Sequence, residues 1–239
     1  MKILKSQFLK GLYHGLPIGL GYLSVSFGFG IMAIRAGLSV LSAVGISLTN
    51  LTSAGQAAGV NVIAAGGTLI EMALTQLVIN LRYSLMGISL SQKLAPSFGT
   101  GKRLIAAHGI TDEIFAVAIS QKEPVTASYM YGLMLIPIIG WTSGTFLGAA
   151  FGQILPESIS NALGLMLYAM FLAVIIPQAR KEVSVLVSVL IAAAISIAFK
   201  YLLPSVSSGF ATIISACISA AVCALIFPVS DEEEQEETA

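Results

Sequence analysis

This chain carries little charge. Asp, Glu, Lys and Arg make up only 10% of its 239 residues, while 56% are hydrophobic and the mean hydropathy is +0.90. A soluble domain has about 25% charged residues. So few charges could not cover a water-facing surface, which excludes a soluble globular domain and points to an integral membrane protein. Cysteine is nearly absent. Cys217 and Cys223 both fall in the last apolar run, at a spacing that matches no zinc or redox motif, so they read as free buried thiols. No basic patch is present to suggest nucleic acid. Catalytic signatures are missing as well: there is no His-Glu-x-x-His, no Gly-x-x-x-x-Gly-Lys-Ser/Thr and no Gly-x-Ser-x-Gly. The chain therefore reads as a non-enzyme without a cofactor, and any uphill transport would draw on an ion gradient or a partner.

The charge that is present is unevenly placed. Twelve basic residues balance twelve acidic ones, yet Asp231, Glu232, Glu233, Glu234, Glu236 and Glu237 crowd the last nine positions. The stretch 231–239 reads as a solvated, disordered tail, and 1–230 as a single transmembrane transport domain. A helical crossing takes about 20 apolar residues. Runs poor in charge cover 11–34, 36–70, 72–92, 124–156, 158–179, 183–199 and 201–230. The expectation is an all-α polytopic membrane protein of about seven transmembrane helices. Lys2, Lys5 and Lys10 precede the first run, which is long and lacks a small-x-small cleavage site, so an uncleaved span is expected. The distribution of Lys and Arg favours an external N-terminus and a cytoplasmic 93–123 loop. A further partial crossing within 104–120 would change that count.

A faint repeat relates Ser26-Phe-Gly-Phe-Gly30 and Ala33 to Gly144-Thr-Phe-Leu-Gly148 and Phe151. An offset of three crossings would point the two copies in opposite directions. The plan would then be one of inverted three-helix repeats with broken helices, as in many secondary transporters. Gly140, Gly144, Gly148 and Gly152 recur every four residues. That spacing places them on one helical face, where backbones can approach closely.

Three constellations could carry chemistry. The first is Glu71 with Asn80 and Arg82. An arginine at the centre of a spanning helix costs about 2.5–3.5 kcal/mol on the mildest scale, so it needs a partner. Glu71 and Arg82 are eleven residues apart, about 20° past three full turns. They share a helical face, but roughly 16 Å separates them along the axis, too far for an ion pair. Arg82 then either joins a structural ion pair, snorkels to the interface, or meets a ligand carboxylate with its planar fork. The second is Asn50-Leu-Thr-Ser53-Ala-Gly55-Gln56 within a long apolar run. It suggests either a helix that unwinds at membrane depth or a loop between two spans. The third is Thr111-Asp112-Glu113. Its acids could pair with Arg82 or carry a proton, or simply start a helix capped by Thr111 or Asp112.

Taken in order, these residues resemble the AzlC family, the large subunit of branched-chain amino-acid exporters. The resemblance rests on Pro17 and Phe27-Gly28-Phe29-Gly30, Ala54-Gly55-Gln56, Asn80-Leu81-Arg82-Tyr83 and Thr111-Asp112-Glu113-Ile114-Phe115. It extends more weakly through 144–152 and Tyr168-Ala-Met-Phe171. Tyr83-Ser84 departs from the pattern, where histidine or another aromatic is expected after the arginine. The resemblance implies a multi-pass permease of the bacterial inner membrane. It would export leucine, isoleucine and valine, with methionine as a further candidate, and work with a small AzlD-like membrane subunit. On that expectation Arg82, Asn80, Asn50, Ser53, Gly55 and Gln56 contact the substrate, and Phe27 and Phe29 receive its aliphatic tail. Asp112, Glu113 and Glu71 serve as charge partners or proton relays. The alternatives are a permease or channel for another small polar solute, and a non-transporting membrane assembly subunit.

Overall fold

The structure, a computed structural model, describes residues 2–152 and 154–228. The expected acidic tail lies outside the described residues. Ten helices are described: α1 (Lys2–Arg35), α2 (Val40–Thr49), α3 (Ala54–Ala64), α4 (Leu69–Lys93), α5 (Thr100–His108), α6 (Asp112–Ile119), α7 (Ala127–Phe151), α8 (Glu157–Lys181), α9 (Val183–Leu202) and α10 (Ser208–Ile226). There is no strand among the described residues, only a backbone bridge between Leu94 and Val125. Segments of α1, α7, α8, α9 and α10 are long and apolar enough to cross a membrane. Helix α4 has 25 residues but carries Glu71, Arg82 and Lys93. The chain is an all-α, multi-pass membrane protein.

Two of the apolar runs are organised differently from a simple count of spans. The 36–70 run is two short helices. Ser39 caps α2 through its hydroxyl, which accepts from Ser42 N at 3.0 Å. The helix ends at Asn50, whose backbone is extended, and Ser53 takes a φ of 41° before α3 begins. A non-glycine residue in that left-handed region is uncommon. The polar stretch 93–123 is not one loop. It holds α5 and α6, separated by Gly109, Ile110 and Thr111. The 124–156 run contains Pro137 and Gly140, yet α7 is continuous through both. Membrane helices tolerate proline because neighbours re-satisfy the freed backbone groups.

The described residues form two compact units. The first comprises Met1–Val60 with Ile79–Ala169, the second Asn61–Val78 with Met170–Ala239. In the first unit, α1 and α7 pack along their lengths. A Cβ on Gly132 would strike Phe8, on Gly140 Gly19, on Gly144 Leu23, and on Gly148 Phe27, each time at the backbone. Residue numbers rise together on both helices, so the pair is parallel. This corrects the expected inversion between the copies at 26–33 and 144–151. The two copies run in the same direction and lie against each other. A parallel pair of spanning helices requires an odd number of passes between its members, so the count of two passes between them does not hold.

In the second unit, α9 and α10 form an antiparallel hairpin stitched by hydroxyls. Ser188 meets Ser219 at 2.9 Å and Ser196 meets Ser215 at 3.2 Å. Such contacts suit helices in lipid, where apolar burial gives little drive for association.

Candidate functional site

A cleft of about 410 Å³ opens in the first unit. Small-molecule sites occupy about 300–1,000 Å³, so it can hold a metabolite the size of an amino acid. Three elements build it. Helix α4 contributes Asn80, Tyr83, Ser84 and Gly87, which at spacings of three, four and seven share one helical face. The α2–α3 break contributes Thr49, Asn50, Leu51 and Thr52, and the α5–α6 break contributes Ala107, His108 and Ile110. Both walls are therefore interrupted helices, where irregular backbone is tolerated at membrane depth because it lines a cavity. The Thr52 hydroxyl donates to Asn50 Oδ1 at 2.8 Å, which fixes the amide within the first break. The lining mixes apolar and polar groups, and among the described residues no Lys, Arg, Asp or Glu belongs to it.

The charges stand beside the cleft. Arg82 Nη1 donates to Asp112 Oδ1 at 2.8 Å, with side-chain exposures of 41% and 38%. Its Nη2 donates to the Tyr83 hydroxyl at 3.3 Å, and the guanidinium lies 5.0 Å from the Tyr83 ring centre. The partner of Arg82 is thus Asp112. Glu113 faces another way and is hydrogen-bonded by the Tyr22 hydroxyl. That hydroxyl also lies 2.7 Å from Thr111 Oγ1. A phenol has one proton, so Tyr22 donates to the carboxylate and accepts from threonine. Thr111 caps α6, its Oγ1 accepting from Ile114 N at 3.4 Å. Asp112 and Glu113 therefore also complement the positive end of that helix.

Behind the break at 50–53 lies a buried polar network. Gln56 is 1% exposed. Its amide donates to Ser47 Oγ at 2.9 Å, and its carbonyl oxygen accepts from Trp141 Nε1 at 2.8 Å. Ser47 in turn meets Thr145 at 2.7 Å. Trp141 packs edge-on against Tyr22, with centroids 5.2 Å apart. The network ties α2, α3 and α7 together and seats the broken helix.

The residues singled out in the sequence are thus distributed unequally. Asn50 and Asn80 line the cleft. Gln56 and Gly55 are buried behind the break, and Ser53 forms its strained turn. Phe27 and Phe29 do not line the cleft. Phe29 is fully buried, and the Phe27 backbone is pressed against Gly148. Both sit on α1, outside the cleft that Asn50 and Asn80 line. Glu71 does not share a site with Arg82. It lies in the second unit, where it is 3% exposed. There it accepts from Gly209 N at 3.1 Å and from the Ser207 hydroxyl, capping the start of α10. Tyr83, Ser84, Gly87 and His108 were not anticipated as lining. The first three could have been found by continuing the helical face that starts at Asn80. Trp141 carried a signal too, since a buried indole N–H usually needs an acceptor.

Comparison with known proteins places this architecture. The profile of the AzlC protein family matches residues 17–155. Inner membrane protein YgaZ of Escherichia coli K12 is 31% identical over 189 residues, covering 76% of this chain and 77% of its own. An uncharacterised membrane protein of Archaeoglobus fulgidus is 31% identical over 177 residues, covering 73% and 77%. One from Helicobacter pylori 26695 is 26% identical over 155 residues, covering 62% and 67%. No solved structure matches the chain.

Proposed function

The chain belongs to the AzlC family, and from that premise we propose that it is the larger subunit of a two-component exporter of branched-chain amino acids in the bacterial inner membrane. The observation that carries this reading is the cleft, with walls of mixed polarity made by two helix breaks and, among the described residues, no Lys, Arg, Asp or Glu in its lining. Burying an unpaired charge is costly. A ligand of net charge such as lysine or glutamate would find no counter-charge in the lining. A zwitterion with a small aliphatic side chain brings its own balance. Asn50, Asn80 and Ser84 offer hydrogen bonds to its ends, and Leu51 and Ile110 offer apolar surface.

Arg82 acts in this reading as part of a lock. Its bond to Asp112 ties α4 to the start of α6 at the edge of the cleft. Opening one side requires that tie to loosen, and an ion gradient acting on Asp112 or Glu113 would bias it. The small AzlD-like subunit completes the transporter. The naming of the Escherichia coli relative as an inner membrane protein supports the location.

The test is efflux from preloaded cells. Cells expressing this chain with a small AzlD-like subunit should release labelled leucine, isoleucine and valine faster than control cells. Lysine and glutamate should leave at the control rate. Equal release of all five, or release of none, would overturn the reading. Selective release of a different neutral solute would favour a permease for that solute.

A further inference from the structure

Tyr83 lines the cleft and also contacts Arg82, the residue that holds Asp112. We propose that Tyr83 is the positioning residue through which a carboxylate in the cleft acts on the Arg82–Asp112 ion pair. The inference rests on the exporter reading above and names how occupancy of that same site is sensed.

The geometry supports a relay rather than direct capture. Consecutive helical residues point about 100° apart. Tyr83 therefore shares the cleft face of α4 with Asn80, Ser84 and Gly87, while Arg82 is turned away from it. Arg82 is absent from the cleft lining, and Nη1 is occupied by Asp112 at 2.8 Å. The Tyr83 hydroxyl accepts from Nη2 at 3.3 Å, near the long limit for a hydrogen bond. A phenol both donates and accepts. With its acceptor side turned to Arg82, its proton is available to an anion in the cleft. Donating to a carboxylate makes the phenol oxygen a better acceptor, because hydrogen bonds in a chain polarise one another. The bond to Arg82 then tightens at the expense of the bond to Asp112. A bound amino acid would thereby loosen the tie between α4 and α6 without touching either charge.

Purified full-length protein, co-expressed with its small subunit, provides the test. Binding of leucine is compared with binding of leucinamide, which keeps the amine and side chain but lacks the carboxylate. Wild-type protein should prefer leucine by about tenfold, the low end for one charge-assisted hydrogen bond. Tyr83→Phe keeps the ring over the guanidinium and removes the hydroxyl. It should reduce the preference by weakening leucine alone. Asp112→Asn releases Arg82 towards Tyr83 and should raise the preference, but only while Tyr83 is present. If Tyr83→Phe does not fold, the presence of the Asp112→Asn shift in the wild-type background is the remaining test. An undiminished preference in Tyr83→Phe, an absent Asp112→Asn shift, or one equal in both backgrounds overturns the relay and leaves the exporter intact. Failure of wild-type protein to bind any net-neutral amino acid overturns both.

Discussion

Replacing Gly148 by alanine should destabilise the first unit, while the same change at Gly21 should stabilise it. Both changes are the same glycine-to-alanine step inside a long apolar helix, α7 or α1, so the contrast isolates their packing. A Cβ on Gly148 would strike the Phe27 carbonyl, with the Phe27 carbonyl carbon at 2.8 Å and Cα at 2.9 Å. These are backbone atoms and cannot rotate away, so the helices must separate. Overpacking of this kind costs about 1–3 kcal/mol. Gly21 is on the same seam helix but has nothing within 4 Å of its would-be Cβ. There alanine gains about 0.8–1.0 kcal/mol of helix propensity. The variants should therefore differ by roughly 2–4 kcal/mol. For a chain of this length 1 kcal/mol shifts the melting temperature by about 2–4 °C, so a gap on the order of 10 °C is expected. Thermal unfolding in one detergent, followed by tryptophan fluorescence from Trp141, measures it. If Gly148→Ala melts at or above Gly21→Ala, the parallel, glycine-mediated α1–α7 contact is refuted.

Three further outcomes follow from the same contacts. Gln56→Leu should cost about 1–3 kcal/mol, because the buried Trp141 Nε1 loses its acceptor while Ser47 keeps Thr145; chemical unfolding of the variant checks this. Arg82→Lys should impair leucine efflux nearly as much as Arg82→Ala, since one ammonium cannot bridge Asp112 and Tyr83 as the planar fork does. Comparable efflux from the lysine variant and wild type, at equal membrane abundance, would show that charge alone suffices. Glu71→Gln should keep the acceptor for Gly209 N, while Glu71→Ala removes it, leaves only Ser207 to cap α10 and costs about 1 kcal/mol more. Limited proteolysis near 203–208 should therefore speed up in the alanine variant, and equal cleavage in both would contradict the capping role.

Several of these features are legible in the sequence, and others depend on tertiary placement. The break at 50–53 stands out because Asn50, Thr52 and Ser53 interrupt a long apolar run. Its counterpart at 109–111 does not, because Lys102, Arg103 and His108 make the surrounding helices look like a soluble loop. A count of two passes between the 26–33 and 144–151 copies also gives them opposite directions, which the parallel α1–α7 contact contradicts. Periodicity places Glu71 and Arg82 on one face and excludes their pairing, but it cannot choose the partner of either. That choice depends on where α6 and α10 begin, and both begin at capped starts, Thr111 and Ser207. Phe27 and Phe29 misled for a simple reason. Aromatic residues beside glycines suit a substrate pocket and a tight helix seam equally well, and only the contacts with α7 distinguish them.

The central claim is that the cleft between the two helix breaks holds a net-neutral amino acid. Ser84 lines it and offers a direct probe. In a background where Cys217 and Cys223 are serine, Ser84→Cys in membranes should react with a small thiol reagent. Saturating leucine should slow that reaction severalfold, and lysine at the same concentration should not. An unchanged labelling rate in leucine, from a variant that still exports leucine, would place the substrate elsewhere and contradict the account.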